Sequence, residues 1–145
     1  MRIVLLNTWA LFLGFALICL GHGLQGTLIG VRAVLEGFSF ISTGLIIAGY
    51  YFGFLGGSIV IPLFIQRVGH IRVFAALASL ASIAILLHSL FLDPTLWFLI
   101  RMLTGFCIAG IFIIMESWLN NKSTNTTRGK LLSFYFIITF SFVAM

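Results

Sequence analysis

The residue with the clearest chemical potential is Arg101, a cation inside an unbroken apolar run from about Leu96 to Leu119. It stands seven positions after Pro94, or roughly 10 Å along a helix. If the run crosses a membrane, that depth lies within hydrocarbon. An arginine there costs at least roughly 2.5 kcal/mol and faces a bundle interior or a water-filled cavity. The competing reading is a side chain that snorkels back to the surface, a reach of about two helical turns. Glu116 follows fifteen positions later in the same run, roughly 22 Å farther along and close to the opposite surface. Arg67, Arg72 and Arg128 are the cations within its reach in neighbouring segments. A carboxylate partly out of water requires such a partner, so an ion-pair cluster of Glu116 with Arg72 and Arg128 is expected. On an earlier run Cys19, His22 and Gln25 recur every third position and form one slanting stripe. That stripe either lines a cavity or places His22 in contact with another helix. A histidine that titrates near neutral pH also suits proton coupling.

Other chemistry is not indicated. His22, His70 and His88 sit on separate segments without metal-ligand spacing, and no nucleophile, base and orienter group together. No catalytic residue, metal or cofactor is expected, and the chain does not read as an enzyme. Cys19 and Cys107 lie 88 positions apart inside apolar runs, where a thiol acts as a small hydrophobe.

The elements that position these residues follow from composition. Of 145 residues 61% are hydrophobic and 8% charged, with mean hydropathy +1.22, whereas a soluble domain carries roughly 25% charge. Three acids and eight bases cannot coat a soluble core, so lipid is the solvent for most of the chain. The net charge of +5 forms no contiguous basic stripe, which excludes a nucleic-acid partner. Met1-Arg2 followed by Ile3 to Leu20 imitates a secretory signal, but the further apolar runs favour an uncleaved first helix.

Charges and turn formers divide the sequence into four spans, about 4–31, 40–65, 73–91 and 96–119, each long enough for a bilayer. A fifth run, 131–145, gives roughly 22 Å of helix against a core of roughly 30 Å and is too short to cross. Arg2, Arg67, Arg72, Lys122, Arg128 and Lys130 fall on one side and Arg32 on the other. The excess of bases predicts a cytoplasmic N-terminus. The asparagine-containing patterns at 121–123 and 125–127 then face the cytoplasm and read as loop polarity alone. Gly49, Gly53 and Gly57 at four-residue spacing line one helix face with hydrogens and invite close packing. Gly23, Thr27 and Gly30 suggest a similar strip on the first span, and Ala75, Ser79 and Ser82 on the third. Pro62 removes a backbone donor near the end of the second span and is expected to bend it.

Three segments resemble the major facilitator superfamily. Gln66-Arg67-Val68-Gly69-His70-Ile71-Arg72 looks like that superfamily's signature between helices 2 and 3. Arg101-Met102-Leu103-Thr104-Gly105 resembles its R-x-x-x-G motif on helix 4. Glu116-Ser117, with Thr127-Arg128-Gly129-Lys130-Leu131-Leu132, is similar to the YcaD-like branch of bacterial inner-membrane facilitators. The resemblance covers the whole chain. It implies an all-α polytopic helix bundle, here four helices and the start of a fifth from an N-terminal six-helix half. It also implies a small-molecule substrate at the midplane, exposed alternately to either side. Arg67, Gly69 and Arg72 would be the gating loop, Glu116 the acid that pairs with it, and Arg101 the helix-4 arginine associated with proton coupling. Gln66 stands where the motif has aspartate and Pro62 where it has its first glycine, which shortens the charge relay.

A proton-coupled secondary transporter of a small solute is therefore the expected function, with the lipid bilayer and the remaining helices of the same protein as partners. The substrate stays open between sugar, drug and organic acid. A small four-span scaffold or assembly subunit is the alternative. Such a subunit should end on a polar flank, whereas this sequence ends on Phe140-Ser141-Phe142-Val143-Ala144-Met145.

Overall fold

A computed structural model describes the backbone at residues 2–124 and 127–143 and the side chains at residues 9–124 and 127–141. Its elements are five helices: α1 (Arg2–Leu35), α2 (Phe40–Val68), α3 (His70–Leu90), α4 (Pro94–Lys122) and α5 (Arg128–Val143). No strand occurs among the described residues, so the fold is the all-α membrane bundle expected. Four helices are long and apolar enough to cross a bilayer: Trp9–Leu35 within α1, and the whole of α2, α3 and α4. Hydrocarbon leaves backbone polar groups no partner except one another, and a continuous helix satisfies that demand. Their outward residues are correspondingly apolar, as with Leu13, Leu17 and Leu28 on α1 and Leu55, Ile59 and Leu63 on α2.

The turns are tighter than charge and turn formers suggest. The expected 66–72 loop shrinks to Gly69, with Arg67 in the last turn of α2 and Arg72 in the first turn of α3. Gly69 holds φ 93° and ψ 157° and donates its N–H to the Ile65 carbonyl at 3.0 Å. A side chain is strained at such a φ, so the one-residue reversal depends on glycine. Charged residues mark the membrane boundary, but helix continues through them because its own hydrogen bonds persist in water. The α4 helix likewise runs to Lys122, and Asn121 is helical. Asn125 and Thr126 of the second asparagine-containing pattern lie outside the described residues. At the end of α1, Gly37 (φ 73°) and Phe38 donate to the Val34 and Ala33 carbonyls at 3.1 and 2.9 Å, a glycine-closed C-terminus. Ser39 caps α2 through its hydroxyl on the Ser42 N–H. Asp93 caps α4 by accepting from Leu96 at 2.9 Å, with Pro94 opening the helix. Helix α2 continues through Pro62.

The chain forms two compact units, one from Met1–Leu28 and Met115–Met145, the other from Ile29–Ile114. In the first, α1 and α5 meet through aromatic rings: Phe12 lies edge-on to Phe134 at 5.4 Å, and Phe15 stacks on Tyr135 at 5.1 Å. In the second, α2 and α4 meet backbone to backbone. A Cβ built on Gly49 would stand 2.9 Å from the Phe98 carbonyl oxygen, and one on Gly57 2.6 Å from that of Phe106. Between them, a Cβ on Gly53 would collide with the Met102 carbonyl, and one on Gly105 of α4 with the Tyr50 carbonyl. Glycines on both helices thus remove the side chains that would hold the axes apart. Gly110 extends the seam, where a Cβ would meet Leu77 of α3 and Ile61 of α2.

On α1 Gly23 is buried, but the rest of that strip and the strip on α3 do not pack this way. Thr27 is exposed, a Cβ on Gly30 meets nothing within 4 Å, and Ala75, Ser79 and Ser82 are exposed. Both serines bond within their own helix, to the Ala75 and Ala78 carbonyls. α3 instead buries Val73, Leu77, Ala81, Ala84 and His88. Gly53→Ala should lower stability by about 1–3 kcal/mol through overpacking, read as a lower thermal midpoint in detergent. Gly56→Ala, whose Cβ meets nothing within 4 Å, should leave that midpoint within error.

Candidate functional site

Arg101 is turned inward from α4 and is 6% exposed, which removes the snorkelling alternative. Its guanidinium carbon lies 4.9 Å from the centre of the Tyr50 ring on α2, a cation–π contact that returns part of the lost hydration. Nε and Nη1 have no hydrogen-bond partner among the described residues. The α2–α4 glycine seam brings Tyr50 to this position, because the Gly105 face lies directly on the Tyr50 carbonyl. One helical turn on, Thr104 is also buried and donates to the Ile100 carbonyl at 2.9 Å, so it satisfies its own hydroxyl without answering the arginine.

Toward the α3–α4 turn, His88 is 5% exposed. Its Nδ1 lies 2.9 Å from the Ala84 carbonyl oxygen. A carbonyl accepts and cannot donate, so Nδ1 carries the hydrogen and the neutral ring leaves a lone pair on Nε2. That Nε2 is buried without a partner among the described residues. The backbone carbonyl of His88 accepts from Arg32 Nη1 at 3.2 Å. Arg32 also lies 5.6 Å from the Trp97 ring centre and pairs with Glu36 at 3.5 Å. Trp97 is fully buried, packs at the edges of His88 and Phe38, and donates Nε1–H to the Phe91 carbonyl at 2.6 Å. With Ile29, Ala33 and Ile46 it closes this end of the unit.

The remaining sequence-marked residues distribute between the two units. Cys19, half-buried His22 and buried Gln25 belong to the α1–α5 unit, and Arg101 to the other. Both amide atoms of Gln25 lack a hydrogen-bond partner among the described residues. Glu116 is exposed and accepts a hydrogen bond from Tyr135 at 3.1 Å. Among the described residues the ion pair within 4.0 Å is Arg32–Glu36, so the expected Glu116–Arg128 pair is not formed. The phenol meets the carboxylate while the exposed Arg128 side chain stays in solvent. Arg67 and Arg72 flank Gly69 with exposed side chains. An open cleft of about 260 Å³ between the first turns of α2 and α4 is lined by Ser42, Leu45, Pro94, Thr95 and Phe98 and holds none of the marked residues. No group of three or more metal-ligating side chains occurs among the described residues.

Residues 31–137 match the family described as uncharacterised MFS-type transporter YbfB. The chain belongs to the major facilitator superfamily. Uncharacterized MFS-type transporters of Yersinia pestis (strain Pestoides F) and Yersinia pseudotuberculosis (serotype O:3, strain YPIII) are similar to it, each 33% identical over 95 residues. That segment is 66% of this chain and 25% of either relative, so the chain spans about a quarter of the length of the proteins it matches. No solved structure matches it. In this superfamily member, Arg101 and Gly105 divide two tasks: the glycine admits α2, and the arginine beside it is buried with Nε and Nη1 lacking a hydrogen-bond partner among the described residues.

Sequence reasoning left His88, Tyr50, Trp97 and Tyr135 without roles. The signal for His88 was register: α3 and α4 form a hairpin across Phe91–Asp93, so His88 near the end of α3 meets Trp97 in the first turn of α4. A buried guanidinium with unpaired donors costs folding free energy. Arg101→Met should therefore raise the thermal midpoint in detergent, by about 1–3 kcal/mol in stability terms; a lower midpoint would show that the guanidinium is satisfied.

Proposed function

We propose that this chain is part of a secondary active transporter that moves a small solute across a bacterial inner membrane by alternating access, driven by protons. Membership of a transporter superfamily supports transport in general, and Arg101 carries the finer reading. A side chain that costs at least roughly 2.5 kcal/mol in apolar surroundings, with Nε and Nη1 unpaired, is a standing invitation to a polar solute or a carboxylate. Gln25 is another buried polar group without a hydrogen-bond partner among the described residues, and we assign it and His22 to contact with the solute. Arg67, Gly69 and Arg72 act as the gating turn, because a one-residue reversal held by glycine transmits movement of α2 to α3 with little slack.

The N-terminus faces the cytoplasm. Arg67 and Arg72 share one side with Lys122, Arg128 and Lys130, while Arg32 lies on the other, the asymmetry that insertion imposes. The rest of the twelve-helix protein supplies the second wall of the cavity. The test uses the protein expressed from its complete gene and reconstituted into vesicles under an imposed proton gradient. Arg101→Ala should reduce gradient-driven uptake by a hundredfold or more while reconstituting at the wild-type level, and undiminished uptake would exclude the assigned role.

A further inference from the structure

We propose that Arg32 and His88 form a proton-operated clasp at the α3–α4 turn, closed while the His88 ring is neutral and released when its Nε2 takes a proton. The inference goes beyond the transport reading and stands whether or not protons drive uptake. Arg32, near the end of α1, holds two other helices at once. Its Nη1 donates to the His88 carbonyl on α3 at 3.2 Å, and its guanidinium carbon lies 5.6 Å from the centre of the Trp97 ring on α4. The His88 ring meets the same tryptophan, with ring centres 5.7 Å apart. Arg32 therefore touches both the backbone of His88 and the aromatic neighbour of its ring, and all three residues belong to the Ile29–Ile114 unit. The ring is anchored by Nδ1 on the Ala84 carbonyl at 2.9 Å. That leaves Nε2, buried without a partner among the described residues, as the atom that titrates.

A proton at Nε2 changes the balance of charge at this turn. The last carbonyls of a helix attract a cation, and in the closed clasp Arg32 supplies it at His88. An imidazolium in the same turn of α3 meets that need from within the helix and sets a second positive charge beside the guanidinium. Its new Nε2–H also has no acceptor in the buried position. The surrounding groups do not offset the added charge. α1 brings Glu36, already paired with Arg32 at 3.5 Å. α4 brings Arg101, a further cation one turn beyond Trp97 on the same helix face. The turn brings Asp93, exposed and engaged in the Leu96 cap, and α2 brings the uncharged Ile46. Release lets ring and guanidinium each reach water, so acid favours the open clasp. The Arg32 and Glu36 side chains, 38% and 34% exposed, put water at the edge of the clasp. One proton from that water binds the Nε2 lone pair, and it leaves by the same route when the clasp closes again. Opening also uncovers Trp97, which Arg32, Ala33 and Phe38 cover from this side. On the orientation proposed above this edge faces away from the cytoplasm, so the clasp senses external acid.

The test is made on the protein expressed from its complete gene, labelled with fluorotryptophan and held in detergent micelles. The fluorine resonance of Trp97 is identified by its loss in Trp97→Phe. Between about pH 8 and about pH 5 a second Trp97 signal should grow roughly tenfold relative to the first. That second signal alone should shift when water is replaced by heavy water, because a buried ring does not feel the solvent isotope. His88→Asn keeps a donor for the Ala84 carbonyl and removes the titrating atom, so it should hold the first signal across the whole range. His88→Gln is the second variant if His88→Asn reduces the thermal midpoint. Arg32→Met should show the solvent-sensitive signal already at about pH 8 and lose most of its pH dependence. A solvent-sensitive signal that grows equally in both folded His88 variants assigns the titration to another group and overturns the proposal. A pH-dependent shift without solvent sensitivity shows a ring that is protonated while the clasp stays closed, and it overturns the proposal too, as does a wild-type signal unchanged over the range. All of these outcomes leave the transport reading standing, since that reading is tested by uptake in the Arg101 variant.

Discussion

The Ile29–Ile114 unit depends on the contact between the backbones of α2 and α4. In hydrocarbon there is little hydrophobic drive for two helices to associate, so they are held by close packing and by what polar groups can reach across the seam. Gly53 and Gly105 remove the side chains that would separate the axes, each facing a carbonyl of the other helix. Because the helices are rigid, that approach sets the register of everything above and below. Tyr50 is drawn over Arg101, and Gly110 is drawn against α3 and α2 through Leu77 and Ile61. α4 becomes the most buried helix, with 61% of its apolar window covered against 28% for α2 and for α3.

A second constraint acts at the ends of the helices. Backbone can turn only where its polar groups find partners, and this chain turns with very few residues. Gly69 reverses direction alone, Gly37 and Phe38 close α1 with bonds to Val34 and Ala33, and Asp93 caps α4 beside Pro94. Short turns leave little freedom between helices. The Phe91–Asp93 turn therefore brings His88 toward the first turns of α4, where Trp97 fills the space between them and bonds to the Phe91 carbonyl.

These two constraints give the buried polar groups their meaning. Arg101 and His88 are not scattered exceptions in an apolar protein. They lie in one unit, and both retain atoms without a hydrogen-bond partner among the described residues, while neighbouring groups such as Thr104 and Trp97 are satisfied. In the other unit Glu116 shows the opposite outcome. It lies exposed and takes a hydrogen bond from Tyr135, so it needs no buried counter-charge.

The fold class, the membrane environment, the order of the helices and the superfamily were legible in the sequence, because hydropathy, charge placement and short motifs are local properties of the chain. The glycines at 49, 53 and 57 announced a packing face for the same reason, although the sequence could not say which helix they meet. Helix ends were misjudged inward at Arg67, Arg72 and Lys122, since a charge marks where lipid stops and not where helix stops. The strip on α3 looked like a packing face and is exposed, and on α1 Gly23 is buried while Thr27 is exposed, because small residues permit close approach without compelling it. What tertiary structure alone decided is which polar groups share a space and which are answered. His88 meets Trp97 and Arg101 meets Tyr50, Glu116 meets Tyr135 instead of Arg128, and none of these results follows from residue type or spacing. Pairing depends on the rotation of each helix about its axis, and that rotation is set by contacts between segments distant in the chain.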